Sequence, residues 1–326
     1  MSANVEHMAY RFANRSDTPW HGVGTPIARN EELSTEEFQK RAGAEWLALK
    51  RKLYFRSKPA LLVPDIEVPK AFALARNDNQ FVLNIVSEQY KIVQNKEVFN
   101  FFQEFCNAGD MDMETGGVLD YGRTVWGLAN IREGFTLSGG DHVQGFLLFS
   151  NSHGGSAGRI KFTPVRVVCA NTLALALGGS GTDFRIHHKA TFDPEIAKTA
   201  LGLGHKQLSE FKEQAEFLTT RRMSSVAFTE FLEKLFPPRD VVDEKGRSID
   251  TVTFPRMYHK SLAALSTQKG AHMSEGTWWQ GYNAITYAID HDITRSDRAA
   301  LFNSNMFGNG FKVKQQALQT ALEFAR

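Results

Sequence analysis

The sequence has few of the features that mark secreted and membrane proteins. Its 326 residues include only two cysteines, Cys106 and Cys169, and both have apolar neighbours. A disulfide framework is therefore not expected, and two buried thiols are the preferred interpretation. No run approaches the roughly 18 apolar residues that span a bilayer, and residues 1–15 lack the apolar run of a signal peptide. These absences predict a cytoplasmic protein without a membrane partner.

A large excess of charge of one sign is also missing. The formal net charge of +2 excludes a histone-like polycation, although local clusters of basic residues could still serve binding to an acidic partner. The chain does contain 42% hydrophobic residues, among them 25 phenylalanines, and 23% charged residues. This balance is typical of a folded globular protein with a well-filled core.

The first half of the chain is predicted to be mainly β-structure. Residues 1–43 are predicted to form an N-terminal arm and a short helix, because Ser34 and Glu37 have the spacing of a capping box. Residues 44–191 are predicted to form an antiparallel sheet core with helices, including a helix capped by Asn95. Alternating apolar and polar residues and turn-forming residues predict these strands: 44–55, 71–76, 81–86, 114–119, 123–131, 142–150 and 159–168.

The second half, residues 192–326, is predicted to be a helical region that packs on the sheet. It can form one continuous domain with the sheet. A short apolar helix is expected at 170–177, and the polar, turn-rich segment 237–254 is predicted to be a mobile loop. The fold class is therefore α+β, with an antiparallel sheet and its hairpins in the N-terminal half. The main helices are predicted at 194–222, 224–236, 255–266, 276–290 and 310–324.

Four sequence segments carry a family resemblance. They are WHGVG at 20–24, QYKIVQN at 89–95, VRVVCANTL at 165–173, and the stretch from GTW at 276–278 to Asp290-His291; Phe307-Gly308 also fits. Together they resemble the phage- and plasmid-borne family known as domain of unknown function 932. This resemblance implies a mobile-element context and no particular activity. The hairpins followed by a helix are similar, at the level of the fold only, to phage single-strand annealing proteins of the Erf and Sak type.

Basic residues cluster in two places, and aromatic residues are interleaved with them. Cations fixed along one surface release counterions when they bind a phosphate backbone, and exposed aromatic rings can stack on bases. Alternation along the first strand places Lys50, Lys52 and Tyr54 on one face and Arg51 on the other. The alternative is that the basic residues solvate a sheet edge while the aromatic residues fill the core. The candidate nucleic-acid-binding residues are Lys50, Lys52, Arg56, Arg159, Lys161, Arg166, Trp46 and Tyr54.

Acidic residues offer weaker candidates for a metal site. Asp290, His291 and Asp292 resemble the His–Asp doublet of metal-dependent phosphohydrolases, but no further ligands occur at a recognisable spacing. A hydrogen-bonded polar seam between helices is the preferred interpretation. A second acidic stretch is interpreted as a solvated loop rather than a cation site; it contains Glu104, Asp110, Asp112, Glu114 and Asp120.

The leading hypothesis is a non-enzymatic protein that binds single-stranded nucleic acid. It would act as a homo-oligomer in DNA annealing during phage or plasmid replication or recombination. No cofactor and no catalytic residue are expected. Two alternatives remain open: a metal-dependent nuclease or phosphohydrolase, and a protein that binds and inhibits a host defence or replication factor.

Overall fold

The fold was derived from a computed structural model. The structure describes residues 8–12, 24–28, 30–56, 65–153, 158–166, 171–172, 183–186, 194–242, 248–291, 301, 304–306 and 308–326. Strands lie mostly in the N-terminal half and helices mostly in the C-terminal part. The predicted α+β class is therefore confirmed.

The described residues form thirteen strands and seven α-helices. The strands are β1 (Met8–Phe12), β2 (Thr25–Ala28), β3 (Ala48–Phe55), β4 (Ile66–Arg76), β5 (Val82–Ser87), β6 (Asp112–Leu119), β7 (Thr124–Thr136), β8 (His142–Ser152), β9 (Gly158–Arg166), β10 (Asn171–Thr172), β11 (Asp183–Ile186), β12 (Arg239–Val242) and β13 (Ser248–Thr253). The helices are α1 (Thr35–Arg41), α2 (Asn95–Ala108), α3 (Pro194–Thr220), α4 (Ser225–Leu235), α5 (Arg256–Thr267), α6 (Trp278–Asp290) and α7 (Asn309–Phe324).

The main sheet has eight strands in the order β10-β9-β8-β7-β6-β1-β2, and β11 also pairs with β9. All neighbouring pairs are antiparallel except β1 and β2. The predicted hairpins β6–β7 and β8–β9 are confirmed. Strands β1 and β2 fall within the predicted arm, yet both belong to this sheet. Both strands are too short to produce a clear alternating pattern in the sequence.

Helices α2 and α3 pack on one face of the main sheet. The Phe-rich pattern of α2 explains this contact, because Phe102 and Phe105 lie on one side of the helix and both meet Phe149 of β8. From α3, Phe211 contacts Trp279 at the start of α6, which continues the core into the helical half. A continuous cluster of buried apolar residues extends from Ala9 to Ala325.

A separate three-stranded sheet has the order β3-β4-β5. Where α2 begins, the Gln94 side chain accepts from the backbone N–H of Ala48 in β3 and donates to its carbonyl oxygen, at 3.0 and 2.9 Å. The segment that leads into β3 is held by the buried side chain of Asn95. The Asn95 side-chain nitrogen Nδ2 donates to the carbonyl oxygens of Ala44 and Trp46, at 3.0 and 3.2 Å. Its side-chain oxygen Oδ1 lies 2.8 Å from His153 Nε2. The predicted helix cap at Asn95 is therefore wrong: Gln94 is the N-cap and forms a capping box with Glu97.

Two further predictions are corrected by the structure. Asn171 and Thr172, predicted in a helix, form β10 and pair with Val165 and Arg166; residues 173–177 lie outside the described part of the chain. Within the predicted loop at 237–254, β12 and β13 form an antiparallel pair. Short strands of mixed polarity resemble loops in sequence, because cross-strand pairing rather than local pattern stabilises them.

Candidate functional site

The strands β3 and β4 extend beyond their contact with β5 as a two-stranded ribbon. On β4, β5 pairs only with residues 71–75, whereas Tyr54 and Phe55 of β3 pair with Glu67 and Ile66 farther out. We call residues 50–56 and 65–72 the basic ribbon. It contains five basic and two acidic residues, a net charge of +3, whereas the whole chain carries only +2. Positive charge is therefore concentrated on this ribbon.

Two adjacent aromatic side chains are exposed near the end of the basic ribbon. Tyr54 and Phe55 are each 51% exposed. They follow an irregularity in the β3–β4 pairing, located between Lys52 and Tyr54. On β4, opposite this irregularity, Lys70 has φ +59°. A bulge of this kind bends a strand and re-aims its side chains. The two rings are accessible to a planar partner.

The predicted phosphate-binding residues Lys50, Lys52 and Arg56 lie on the basic ribbon, and each makes a contact within the chain. Lys50 donates to the carbonyl oxygen of Glu88. Lys52 pairs with Glu67 at 3.1 Å and Arg56 with Asp65 at 2.8 Å. Both cations are 58% exposed, and ion pairs this exposed contribute about 0–1 kcal/mol, so they can be exchanged for other anions. The neighbouring Arg51, which is also exposed, forms no ion pair with any described residue.

The remaining predicted binding residues lie elsewhere. Arg159 and Lys161 are on β9 of the main sheet, which shares no strand pairing with the basic ribbon. Arg159 is exposed, whereas Lys161 Nζ lies over the ring of Phe311. The side chain of Arg166 lies outside the described part of the structure. The structure therefore does not join the two predicted basic clusters through one sheet.

Trp46 is corrected as a base-stacking candidate. Its side chain is only 5% exposed, and its indole N–H donates to the carbonyl oxygen of Gly43. The ring packs between the Arg76 guanidinium, 4.4 Å from the ring centroid, and the His153 imidazole. The sequence pattern could not distinguish this core tryptophan from an exposed one, because both occur beside charged residues.

The candidate metal ligand Asp290 forms an ion pair with a lysine. Lys314 Nζ lies 2.8 Å from an Asp290 carboxylate oxygen, and the lysine side chain is fully buried. His291 stacks on Tyr287, and Asp292 lies outside the described residues. In the part of the chain that the structure describes, no three His, Cys, Asp or Glu side chains are grouped so that they could hold a metal ion.

The second acidic stretch is neutralised mainly by arginines. The Arg132 guanidinium binds Asp112 through two hydrogen bonds, at 2.8 and 2.9 Å, and Asp110 through one at 2.7 Å. Asp120 pairs with Arg123 at 3.1 Å. These contacts raise the pKa of Arg132, chiefly through its hydrogen bond to Asp112. The predicted loop is therefore corrected in part: Glu104 lies in α2, Asp112 and Glu114 lie in β6, and Asp110 and Asp120 flank that strand.

Cys106 is buried in α2, as expected, and burial raises the pKa of its thiol to about 12. A thiol in this state is a poor nucleophile at neutral pH, because the thiolate is the reactive form. Cys169 lies outside the described residues. Among the described residues, no helix is long and apolar enough to span a membrane.

A polar cleft of about 600 Å³ lies where three connecting segments meet. Sequence analysis did not predict it as a site, because its residues are far apart in the chain. The segments are the β7–β8 turn, the α3–α4 connection and the stretch leading into α6. We call it the polar cleft; it is lined by Leu137, Ser138, Gly139, Asp141, Thr219, Thr220, Arg222, His272, Met273, Ser274, Glu275, Gly276, Thr277 and Trp279.

Comparison with known proteins identifies the family. Residues 82–308 match the family described as Domain of unknown function (DUF932). This range is more than half of the chain, so the protein belongs to that family. It includes the segments at 89–95, 165–173 and 276–291. No curated protein and no solved structure matches the chain. The polar cleft lies wholly inside the matched range, whereas the basic ribbon lies before it.

Proposed function

We propose that the protein binds single-stranded nucleic acid through the basic ribbon. The supporting observation is a net charge of +3 beside two half-exposed aromatic rings, Tyr54 and Phe55. Because β3 is the edge strand of its sheet, Lys52 from one face, Arg51 from the other and Arg56 beyond the strand end would contact the phosphates. The rings would stack on bases, at about 1–3 kcal/mol for each stacked base. Single strands fit this surface best, because only unpaired bases present their faces to an aromatic side chain.

The wider role extends this proposal. The resemblance to phage- and plasmid-borne proteins favours annealing of single strands during replication or recombination, by a homo-oligomer in the host cytoplasm. An annealing protein must hold several segments of one strand at once, which several ribbons in one assembly would provide. Rings or filaments in negative-stain images with single-stranded DNA would support this role, and monomers at all protein concentrations would count against it.

The binding test is a fluorescence-anisotropy titration with a labelled single-stranded oligonucleotide at two salt concentrations. The substitutions Arg51→Gln/Lys52→Gln/Arg56→Gln remove up to three phosphate contacts. They should therefore reduce the slope of log K against log salt by up to about 2, since each contact on a single strand contributes about 0.7. Tyr54→Ala should weaken binding about fivefold or more with an unchanged slope, because stacking releases no counterions.

The charge-matched control is Lys198→Gln/Lys206→Gln/Lys212→Gln on α3. These lysines are exposed and form ion pairs of 2.8, 3.9 and 3.8 Å with acidic residues of the same helix. Affinity should stay within about twofold of the wild type. An equal loss in the control and in the ribbon variant would show only a dependence on net charge, and would overturn the assignment of the site.

A further inference from the structure

A close contact at a glycine and two backbone hydrogen bonds fix the shape of the polar cleft. A Cβ atom at Gly139 would lie only 1.8 Å from the carbonyl oxygen of Met273, so the β7–β8 turn reaches this segment because residue 139 is a glycine. The backbone N–H of Met223 donates to Gly276, and that of Trp278 to Arg221, at 2.9 and 3.0 Å. These contacts fix the three walls of the cleft relative to one another.

One wall of the cleft carries positive charge. The Arg222 guanidinium donates through Nη1 to the carbonyl oxygen of Glu275, at 3.0 Å, which anchors the side chain at the rim. This contact uses one of the five N–H groups of an arginine. His272, exposed on the adjoining segment, adds an imidazole to the same cleft. An arginine beside a histidine is well suited to a phosphate, because guanidinium groups bind its oxygens in a planar, often bidentate geometry.

The same two segments also supply hydrogen-bond acceptors. The hydroxyl groups of Thr219 and Thr220 donate to carbonyl oxygens of their own helix, at 2.7 and 2.8 Å, so their lone pairs remain to accept from a ligand. The Ser274 hydroxyl is buried and has no hydrogen-bond partner among the residues that the structure describes. The carboxylate of Glu275 is at the exposed rim. Such a set of acceptors fits a ligand that carries several hydroxyl groups.

The cleft lacks a surface for stacking a nucleobase. Trp279 is the one Trp, Phe or Tyr among its lining residues, and this side chain is fully buried, with its indole N–H donating to Asp141 at 2.8 Å. A volume of about 600 Å³ is in the range of sites for small metabolites. We propose that the polar cleft binds a small molecule in which a phosphate is joined to hydroxyl groups, as in a sugar phosphate. This site is separate from the basic ribbon.

The proposal is tested by isothermal titration calorimetry on the full-length protein. The probes are ribose 5-phosphate, inorganic phosphate and ribose, and adenosine 5′-monophosphate as a second source of the same chemistry. Ribose 5-phosphate should bind at least about tenfold more tightly than inorganic phosphate or ribose, because only it engages both Arg222 and the hydrogen-bond acceptors of the cleft. Adenosine 5′-monophosphate should bind no more tightly than ribose 5-phosphate, because the cleft offers its base no surface for stacking.

Arg222→Ala should weaken ribose 5-phosphate binding at least about tenfold. The matched control is Arg221→Ala, because the Arg221 guanidinium lies over the ring of Phe217 and does not line the cleft. Its affinity should equal that of the wild type. Thermal melting of both variants checks their folding. If Arg222→Ala does not fold, His272→Ala, at an exposed position, decides in its place and should also weaken binding.

Three results would overturn the proposal. They are inorganic phosphate binding as tightly as ribose 5-phosphate, an equal loss in the Arg221 and Arg222 variants, and no saturable binding of either organic phosphate up to about 10 mM. Oligonucleotide binding by the basic ribbon is measured separately, so failure at one site leaves the other result standing.

Discussion

Lys314 and Asp290 form a buried ion pair that joins α7 to α6, with 2.8 Å between Lys314 Nζ and a carboxylate oxygen. Burial lowers the pKa of Lys314, and the attraction of Asp290 opposes this shift. A buried charge that loses its partner is strongly destabilising, whereas replacement of both partners by apolar residues is often tolerated. The pair therefore positions the two helices more than it stabilises them.

This interpretation predicts a non-additive mutational cycle. Lys314→Met should lower the free energy of unfolding by about 3–5 kcal/mol, because it leaves Asp290 buried without its lysine. The double variant Asp290→Leu/Lys314→Met should recover most of this loss. Urea denaturation followed by circular dichroism measures both. A loss below about 1 kcal/mol in the single variant would contradict the prediction.

At the scale of single elements, helix α3 has one side exposed to solvent and another side packed on the main sheet. It is 27 residues long and contains two glycines two positions apart. Gly202 is exposed, and a Cβ atom there would meet nothing within 4 Å. Gly204 faces the main sheet, where a Cβ atom would lie 3.2 Å from Leu147 Cδ2. The first glycine therefore has no packing role, whereas the second allows close approach of helix and sheet.

Alanine substitutions at these two positions should separate the two roles. Gly202→Ala should stabilise the protein by about 0.5–1 kcal/mol, because alanine loses less backbone entropy in a helix than glycine. Gly204→Ala should give a smaller gain or a loss, because the added methyl group must displace Leu147. Chemical denaturation of the two variants in parallel tests this. Equal gains would show that the contact with the sheet imposes no constraint.

Across the whole molecule, the sheet and the helical half share one core. Phe211 of α3 contacts Phe135 of β7 on one side and Trp279 of α6 on the other. Trp279 also donates to Asp141 at the start of β8. A domain boundary near residue 192 would cut through these contacts.

We therefore expect the full chain to unfold in one transition by calorimetry, and an isolated fragment of residues 192–326 to lack a cooperative transition. The fragment would expose Phe211 and Trp279 to water and leave the indole N–H without its carboxylate. Near-ultraviolet circular dichroism during heating is the measurement. A sigmoidal loss of the aromatic signal in the fragment would contradict a shared core and would support two separate domains.

Local sequence patterns determined much of this fold. Alternation and turn residues predicted the hairpins, and helical periodicity predicted α2 to α7, because these elements satisfy their backbone hydrogen bonds within themselves or with a chain neighbour. The strands β1, β2 and β10 to β13 were not predicted, since they are short and of mixed polarity; β1 also pairs with β6, which is distant in sequence. Asn95 illustrates the same limit: its position suggested a cap, and only the packed structure directs its amide to Ala44 and Trp46.

For the sites, the sequence by itself determined which residue types are present and where charge accumulates along β3. Only the tertiary structure decided which of those side chains are accessible. In the folded protein Trp46 is buried, Tyr54 is exposed, and Asp290 forms a buried ion pair with Lys314. The tertiary structure also assembled the polar cleft from three separate segments that lie between residues 137 and 279. The physical reason is that exposure and pairing depend on packing between distant segments, which no local periodicity encodes.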